Sequence, residues 1–476
     1  MSTSILSSFS EALNVSEAAV RLLISISLGL PIALLHRYTL YGKYPVYQHL
    51  YFTSCGLLTC YWNYGFNTIH SAAALCLTYF VMKFLGGTSP CVFITFVVNM
   101  TYLLYGYYTT STSDYDIKWT MPQCVLTLRL IGLAFNLLDG KSPEEKLSGS
   151  QKQVALKTQP TFLEVAAFTY FPGSFLVGPQ FSMKRYLDYV NGRLMGDNFN
   201  KDTVHLPDCV IPGIYRMCMG LVYIVLFQLG SMFITDQYLL SSEFQEHTFL
   251  KRLLFIGIWG QISLYKYICC WLLTEGVCII FGITYNGKDE KGRTLWNGCE
   301  NIKLSTFETA SRFNHYIMSF NINTNNWCAE YIYKRMKFLG HKLYSQFATL
   351  LFLAVWHGLH SGYYICFFLE FIIMYAEKDL TEILGKQEKL QGLLKAHPEL
   401  RILFWIVTKI YTFTFMGYCL VSFVLLSYPR YHHVYSSVYY CGHVIYICYP
   451  IISILVKKFL LKKSSNKLKS THKFVR

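Results

Sequence analysis

Long apolar runs alternate with short polar connectors along the whole chain. The runs lie near residues 19–36, 46–62, 67–86, 91–108, 124–139, 162–180, 209–236, 252–284, 345–376, 402–428 and 434–457. A helix needs about 20 apolar residues to cross the hydrocarbon core of a bilayer, and most of these runs are near that length. The pattern predicts an all-α, polytopic integral membrane protein with about eleven transmembrane helices. A few runs are short or overlong, so interfacial, tilted or re-entrant segments are expected among them.

The connectors are charged. Residues 139–160 carry Lys141, Lys146, Lys152 and Lys157, and residues 183–205 carry Lys184, Arg185, Arg193 and Lys201. Residues 286–312 open with Asn-Gly-Lys-Asp-Glu-Lys-Gly-Arg and read as a loop. Residues 377–401 mix charges with leucines, as an interfacial helix does. No repeat or low-complexity linker interrupts the chain. A single domain over residues 1–476 is therefore expected, with its core near 110–380 and a basic tail at 457–476.

Composition agrees with the pattern. The chain is 53% hydrophobic, 17% aromatic and only 14% charged, where soluble domains carry about 25% charged residues. The net charge of +15 would suit nucleic acid, but no aromatic-interleaved basic groove or nucleic-acid motif accompanies it. Lysines and arginines facing anionic headgroups on the cytosolic side account for it. The basic tail is placed in the cytosol on the same rule, and the Lys-free N-terminus on the opposite side. Without a basic stretch ahead of its first apolar run, the chain is expected to keep that run as an uncleaved anchor. Asn14-Val15-Ser16 is a glycosylation sequon close to this anchor and is expected to be unmodified. The sixteen cysteines include many within apolar runs and form no zinc-type spacing, so neither a metal site nor a disulfide framework is expected.

The candidate chemistry lies in the run 345–376. Trp356-His357-Gly358 places a titratable ring in apolar surroundings, where a polar group is costly and usually functional. His360 follows at i+3 and is the rival. A buried imidazole without a carboxylate partner favours its neutral form, which can accept a proton. Upstream, Asn321-Ile322-Asn323-Thr324-Asn325-Asn326-Trp327 forms an amide cluster, either a solvated cap or a donor set for a developing oxyanion. An interfacial helix over Cys328–Leu339 and a return into the membrane fit between them. No Cys or Ser beside His357 has a nucleophile-type setting.

Those two motifs resemble the catalytic core of the membrane-bound O-acyltransferases. The resemblance extends through Trp119-Thr-Met-Pro, Phe171-Pro-Gly, Val177-Gly-Pro-Gln-Phe, Trp271-Leu-Leu-Thr-Glu-Gly and Trp296-Asn-Gly-Cys-Glu-Asn. Two positions depart from the family. Asn136 stands where many members have Asp, and Gln123 stands in for a histidine; both concern packing or substrate preference. The His-x4-Asp motif of other glycerolipid acyltransferases is absent, as is the Phe-Tyr-x-Asp-Trp-Trp-Asn signature of the sterol and diacylglycerol branch.

The resemblance implies an endoplasmic-reticulum enzyme that re-acylates lysophospholipids from acyl-CoA, with membrane lipids as surroundings and no resident cofactor. It puts the family's histidine on His357, not His360, and its polar partner on Asn321. Lys334, Arg335 and Lys337 are candidates for the acyl-CoA phosphates, with membrane anchoring as the equal alternative. Glu275 lines a tunnel or bonds a neighbouring helix, and Trp356 and Asn325 are candidate substrate contacts. An acceptor of another kind, such as a secreted protein, and a lipid transporter are the rival functions. The sequence leaves oligomeric state, headgroup and acyl-chain preference open.

Overall fold

A computed structural model describes residues 5–13, 15–112, 117–195 and 208–471. The Asn14 sequon and the tail residues Lys473 and Arg476 lie outside them, as does the end of the connector 183–205. The described chain is helical, with only two isolated β-bridges.

Twelve helices carry the architecture: α1 (Glu17–Thr39), α2 (Pro45–Tyr64), α3 (Thr68–Leu85), α4 (Ser89–Thr110), α5 (Thr120–Lys141), α6 (Val210–Ser231), α7 (Phe249–Phe281), α8 (Ile322–Cys328), α9 (Lys342–His357), α10 (Ser361–Gly385), α11 (Pro398–Leu425) and α12 (Cys441–Thr471). Eight stretches among the described residues are long and apolar enough to cross a membrane, one of them, Pro45–Leu85, being divided by a tight turn into α2 and α3. Nine of the eleven expected spans are thus met by α1–α7, α11 and α12.

The other two differ. Run 162–180 holds only the short helix Phe162–Thr169 before the backbone turns irregular. Pro172-Gly173 and Gly178-Pro179 break the helical ladder there. Non-helical backbone inside a membrane protein needs internal partners, and Arg129 of α5 supplies them. Its guanidinium donates to the carbonyls of Phe168, Thr169, Ser174 and Pro179, and to Gln180 Oε1. Run 345–376 breaks between α9 and α10. Gly358 there has φ +140° and ψ −165°, a conformation closed to residues with a Cβ.

The described chain forms two compact units, each drawn from several stretches. The first takes residues 1–229, 264–303 and 319–359; the second takes 230–263, 304–318 and 360–476. The first unit's core gathers α1–α5 and the C-terminal half of α7 around Phe52, Leu130, Phe168, Phe171 and Phe281, all at most 1% exposed. In the second unit α7 and α11 cross on glycines. A Cβ on Gly260 would lie 2.4 Å from Gly417 Cα, and one on Gly417 would lie 2.3 Å from the Ile256 carbonyl oxygen. Small residues let backbones approach this closely where lipid gives helices no hydrophobic drive to associate.

Gly417→Leu is therefore expected to force α7 and α11 apart and cost at least about 1–3 kcal/mol. Thermal melting of the purified protein reads this, with Gly392→Ala as control, because a Cβ on Gly392 meets nothing within 4 Å. Equal melting temperatures for the two variants would remove the crossing from the list of stabilising contacts.

Candidate active site

Helix α9 ends on His357 because Gly358 cannot continue it. The imidazole Nδ1 lies 2.7 Å from the Leu353 carbonyl oxygen, one turn back. A carbonyl only accepts, so Nδ1 carries the proton and the lone pair sits on Nε2. The ring stands edge-on to Trp356 at 4.6 Å and 80°. Trp356 is buried, its indole Nε1 donating to the Cys124 carbonyl at 3.0 Å while its own carbonyl accepts from Tyr107 Oη at 3.0 Å. Trp356, expected as a substrate contact, is spent on fixing the end of α9. It positions its neighbour.

Asn321 precedes α8 and adopts φ 51° and ψ 43°. This left-handed conformation costs most residues energy, but asparagine tolerates it. Its side chain does not cap α8 and makes no hydrogen bond to a described residue, which leaves the amide for a ligand. The loop around it is held from both sides. Ile302 and Phe320 pair as an antiparallel bridge, and Ile322 N donates to the Asn301 carbonyl at 3.0 Å. Asn323 N donates to Asn301 Oδ1 at 2.9 Å, and Asn323 Nδ2 reaches the Cys299 carbonyl at 3.1 Å. Asn325 Nδ2 donates to the Phe320 carbonyl at 3.0 Å. Asn325, a second expected substrate contact, braces the loop.

Helix α5 brings the two motifs into register. Trp327 of α8 donates its Nε1–H to the Leu128 carbonyl at 2.9 Å, one turn along from the Cys124 carbonyl that receives Trp356. The Trp327 ring also stacks on Phe352 of α9, at 5.7 Å and 22°. Both the Asn321 and the His357 segments are therefore indexed to adjacent turns of the same helix.

Glu275 resolves in favour of its helix-bonding alternative. Its carboxylate, 3% exposed, pairs with Arg216 of α6 at 2.7 Å. Its other oxygen accepts from the backbone amides of Asn301 at 2.7 Å and Ile302 at 3.0 Å. It clamps the segment on which the Asn321 loop rests. Arg216 is not among the expected site residues, although a charge well inside the apolar run 209–236 carries the same signal that picked out Glu275.

The three cations differ. Arg335 makes a two-pronged pair with Asp139 of α5, at 2.9 Å and 2.5 Å, and lies over the Phe135 ring. Its charge is paired within the scaffold. Lys334 pairs with Glu330 and reaches Ser150 Oγ at 2.8 Å. Lys337 is exposed and its side chain makes no hydrogen bond or ion pair with a described residue. The segment Cys328–Leu339, expected as a helix, is helical: α8 runs on as a π-helix over Ala329–Tyr333 and a 3-10 helix over Lys334–Leu339, kinked at Met336.

The two departures also acquire surroundings. Asn136 Oδ1 accepts from Tyr331 Oη at 2.6 Å, a packing role. Gln123 is buried with neither amide atom bonded to a described residue. His360 opens α10 in the second unit, whereas His357 and Asn321 belong to the first. Among the described residues no three His, Cys, Asp or Glu side chains come together as a metal site would require.

Residues 104–421 match the membrane-bound O-acyltransferase family. The chain is 44% identical to human lysophospholipid acyltransferase 5, over 96% of its own length and 93% of that protein's. It is 42% identical to the Drosophila melanogaster protein of that name, over 94% and 89% of the two chains. The Caenorhabditis elegans protein of the same name is 34% identical over 96% of each. With its motifs, its polytopic helical fold and relatives matched nearly end to end, this chain belongs to the membrane-bound O-acyltransferase family.

Proposed function

We propose that this protein re-acylates lysophospholipids from acyl-CoA at the free sn-2 hydroxyl, with lysophosphatidylcholine, lysophosphatidylethanolamine and lysophosphatidylserine as acceptors. The observation that supports it most is the proton already placed on His357 Nδ1. It leaves Nε2 as the basic nitrogen of a neutral imidazole, in the same compact unit as the uncapped Asn321 amide. The names of the relatives favour a lipid acceptor over a secreted protein, and acyl transfer over lipid transport.

His357 Nε2 takes the proton of the acceptor hydroxyl as its oxygen forms a bond to the thioester carbonyl carbon. The charge that develops on the carbonyl oxygen is met by the Asn321 Nδ2–H donors. Collapse of that centre breaks the carbon–sulfur bond. The departing CoA thiolate recovers the proton from Nε2–H, so the imidazole ends neutral. Base catalysis of this kind contributes ~10²–10⁴-fold, and one oxyanion donor ~10²–10³-fold. Holding both substrates in one place supplies the remainder. Lys334, Arg335 and Lys337 are the cations for the acyl-CoA phosphates, and Lys337 is the one whose side chain has no ion pair to a described residue. The endoplasmic reticulum membrane, with the basic tail in the cytosol, fits a cytosolic acyl donor.

His357→Ala is expected to lower turnover by at least ~10²-fold with melting temperature unchanged, and His360→Ala to be far milder. Acyl transfer from labelled acyl-CoA to lysophosphatidylcholine measures both, and the reverse ranking would move the base to His360. Asn321→Ala is expected to lower kcat much more than it raises the KM for acyl-CoA; a pure KM effect would make Asn321 a binding residue. With no nucleophile beside the base, both substrates must be bound together. Initial-rate kinetics are expected to show intersecting double-reciprocal lines, and an acyl-enzyme trapped with acyl-CoA alone would contradict the mechanism.

A further inference from the structure

Within the first unit, a cavity of about 590 Å³ opens at the end of α5 opposite the turn that holds Trp356. Asp139 and Gly140 of α5 line it, together with parts of the stretches 142–158 and 184–193. Its frame is fixed by close packing. A Cβ on Gly140 would lie 1.8 Å from the Leu156 carbonyl oxygen, and the Leu156 amide donates to the Asn136 carbonyl at 2.9 Å. The contact of Lys334 Nζ with Ser150 Oγ puts the cavity at the same end of α5 as the cations assigned to the acyl-CoA phosphates.

The lining carries more positive than negative charge. Lys157 pairs with Glu144 at 3.1 Å, whereas Asp188 is shared by Lys184 at 3.0 Å and Arg193 at 3.2 Å. Asp139 is matched by Arg335. Lys152 lines the cavity, and its side chain makes no hydrogen bond or ion pair with a described residue. The second cation on Asp188 and the unpaired Lys152 leave an excess of two positive charges. A phosphomonoester, with a charge of about −1.5 to −2 at neutral pH, matches that excess. Exposed ion pairs are worth little, so these cations are free to turn to a phosphate, with which charge-assisted hydrogen bonds are stronger.

Size and distance narrow the ligand further. A lone phosphate would leave most of the space empty, since cavities of about 300–1,000 Å³ take whole organic ligands. Asp139 lies fifteen residues along α5 from Cys124, whose carbonyl holds Trp356. At the helical rise that is about 22 Å. The acceptor's phosphate sits a few bonds from its reacting hydroxyl and does not reach so far. Acyl-CoA carries a phosphomonoester on its adenosine, at the far end of a long arm from the thioester. We propose that this cavity takes the 3′-phosphoadenosine end of acyl-CoA, with Lys152 and Arg193 on the phosphomonoester and Leu147, Leu156 and Leu187 beneath the adenine. The proposal rests on the acyltransferase reading above and locates the donor's distal end. The contact is ionic, and no bond is made or broken there.

The test compares acyl-CoA with acyl-3′-dephospho-CoA as donors to lysophosphatidylcholine, using full-length protein in phosphatidylcholine nanodiscs. Loss of the 3′-phosphate is expected to raise the wild-type KM about tenfold, as loss of one charge-assisted hydrogen bond would, with kcat little changed. Lys152→Glu is expected to raise the KM for acyl-CoA and to close the gap between the two donors. Lys146→Glu, an equal charge change on the same connector but outside the lining, is expected to keep the gap. No gap in the wild type, a gap that survives Lys152→Glu, or one that Lys146→Glu closes equally well overturns the proposal. A readout free of turnover is the wild-type melting temperature, which CoA is expected to raise more than 3′-dephospho-CoA does at equal concentration. If nanodiscs containing phosphatidic acid stabilise the wild type but not Lys152→Glu, while CoA and 3′-dephospho-CoA act alike, the cavity holds a lipid phosphate and the assignment to acyl-CoA falls. If the wild type transfers no acyl group while the CoA difference is present and Lys152→Glu removes it, the acyltransferase reading fails and the nucleotide site stands.

Discussion

Two indole N–H groups bonded to successive turns of one helix set the geometry on which the candidate chemistry depends. Trp356 and Trp327 donate to the Cys124 and Leu128 carbonyls of α5. In a bilayer, apolar side chains gain little by leaving lipid for protein, so hydrophobic packing alone does not fix how far one helix slides along another. A hydrogen bond does, because a buried indole N–H without an acceptor costs free energy comparable to a lost hydrogen bond. Each carbonyl has a second lone pair beyond its intrahelical bond. Helix α5 therefore acts as a ruler: the residue next to Trp356 is His357, and the segment that leads into Trp327 begins at Asn321.

The ruler fixes one end of the Asn321 segment, and a charge clamp fixes the other. Glu275 divides its two oxygens between Arg216 and the amides of Asn301 and Ile302. Asn301 in turn holds Ile322 and Asn323. Asn321 sits in the left-handed conformation between these holds, a local cost of about 1–3 kcal/mol for most residues. The constraint turns the side chain of Asn321 away from the capping role its position would otherwise give it. Removing either the clamp or the indole bonds frees the loop to relax into an ordinary helix start, with Asn321 folded back on its own backbone.

How much of this the sequence shows depends on the range of the physics involved. Nine spans were legible because crossing a bilayer is a local demand on length and polarity. The break at Gly358 was not, since an apolar run reads the same whether one glycine lies in a helix or ends it. The irregular stretch after Thr169 was signalled by Pro172-Gly173 and Gly178-Pro179, but the apolar count outweighed them; what permits it is Arg129, some forty positions away. His357 and Asn321 were readable from rarity and resemblance. Trp356 and Arg335 hold scaffold partners that proximity to the motif does not reveal, because those partners, Cys124 and Asp139, are distant in sequence. Pairings of that kind leave no trace in a single chain.

Arg129, Arg216 and Arg335 show how the interior uses charge. Each guanidinium is consumed by the protein: Arg129 by backbone carbonyls where helix fails, Arg216 by Glu275, and Arg335 by Asp139. A planar fork of fixed donors suits that work, because it satisfies several acceptors at once and keeps its charge at any relevant pH. Polar groups spent in this way hold shape. Chemistry must then fall to groups whose hydrogen-bonding capacity the scaffold leaves over. His357 retains a basic nitrogen because its other nitrogen is anchored to Leu353, and Asn321 retains its amide because its backbone is held elsewhere. The Leu353 bond fixes the tautomer of His357 and the backbone holds fix Asn321 with its side chain uncapped, so rigidity and reactivity arise from the same set of contacts.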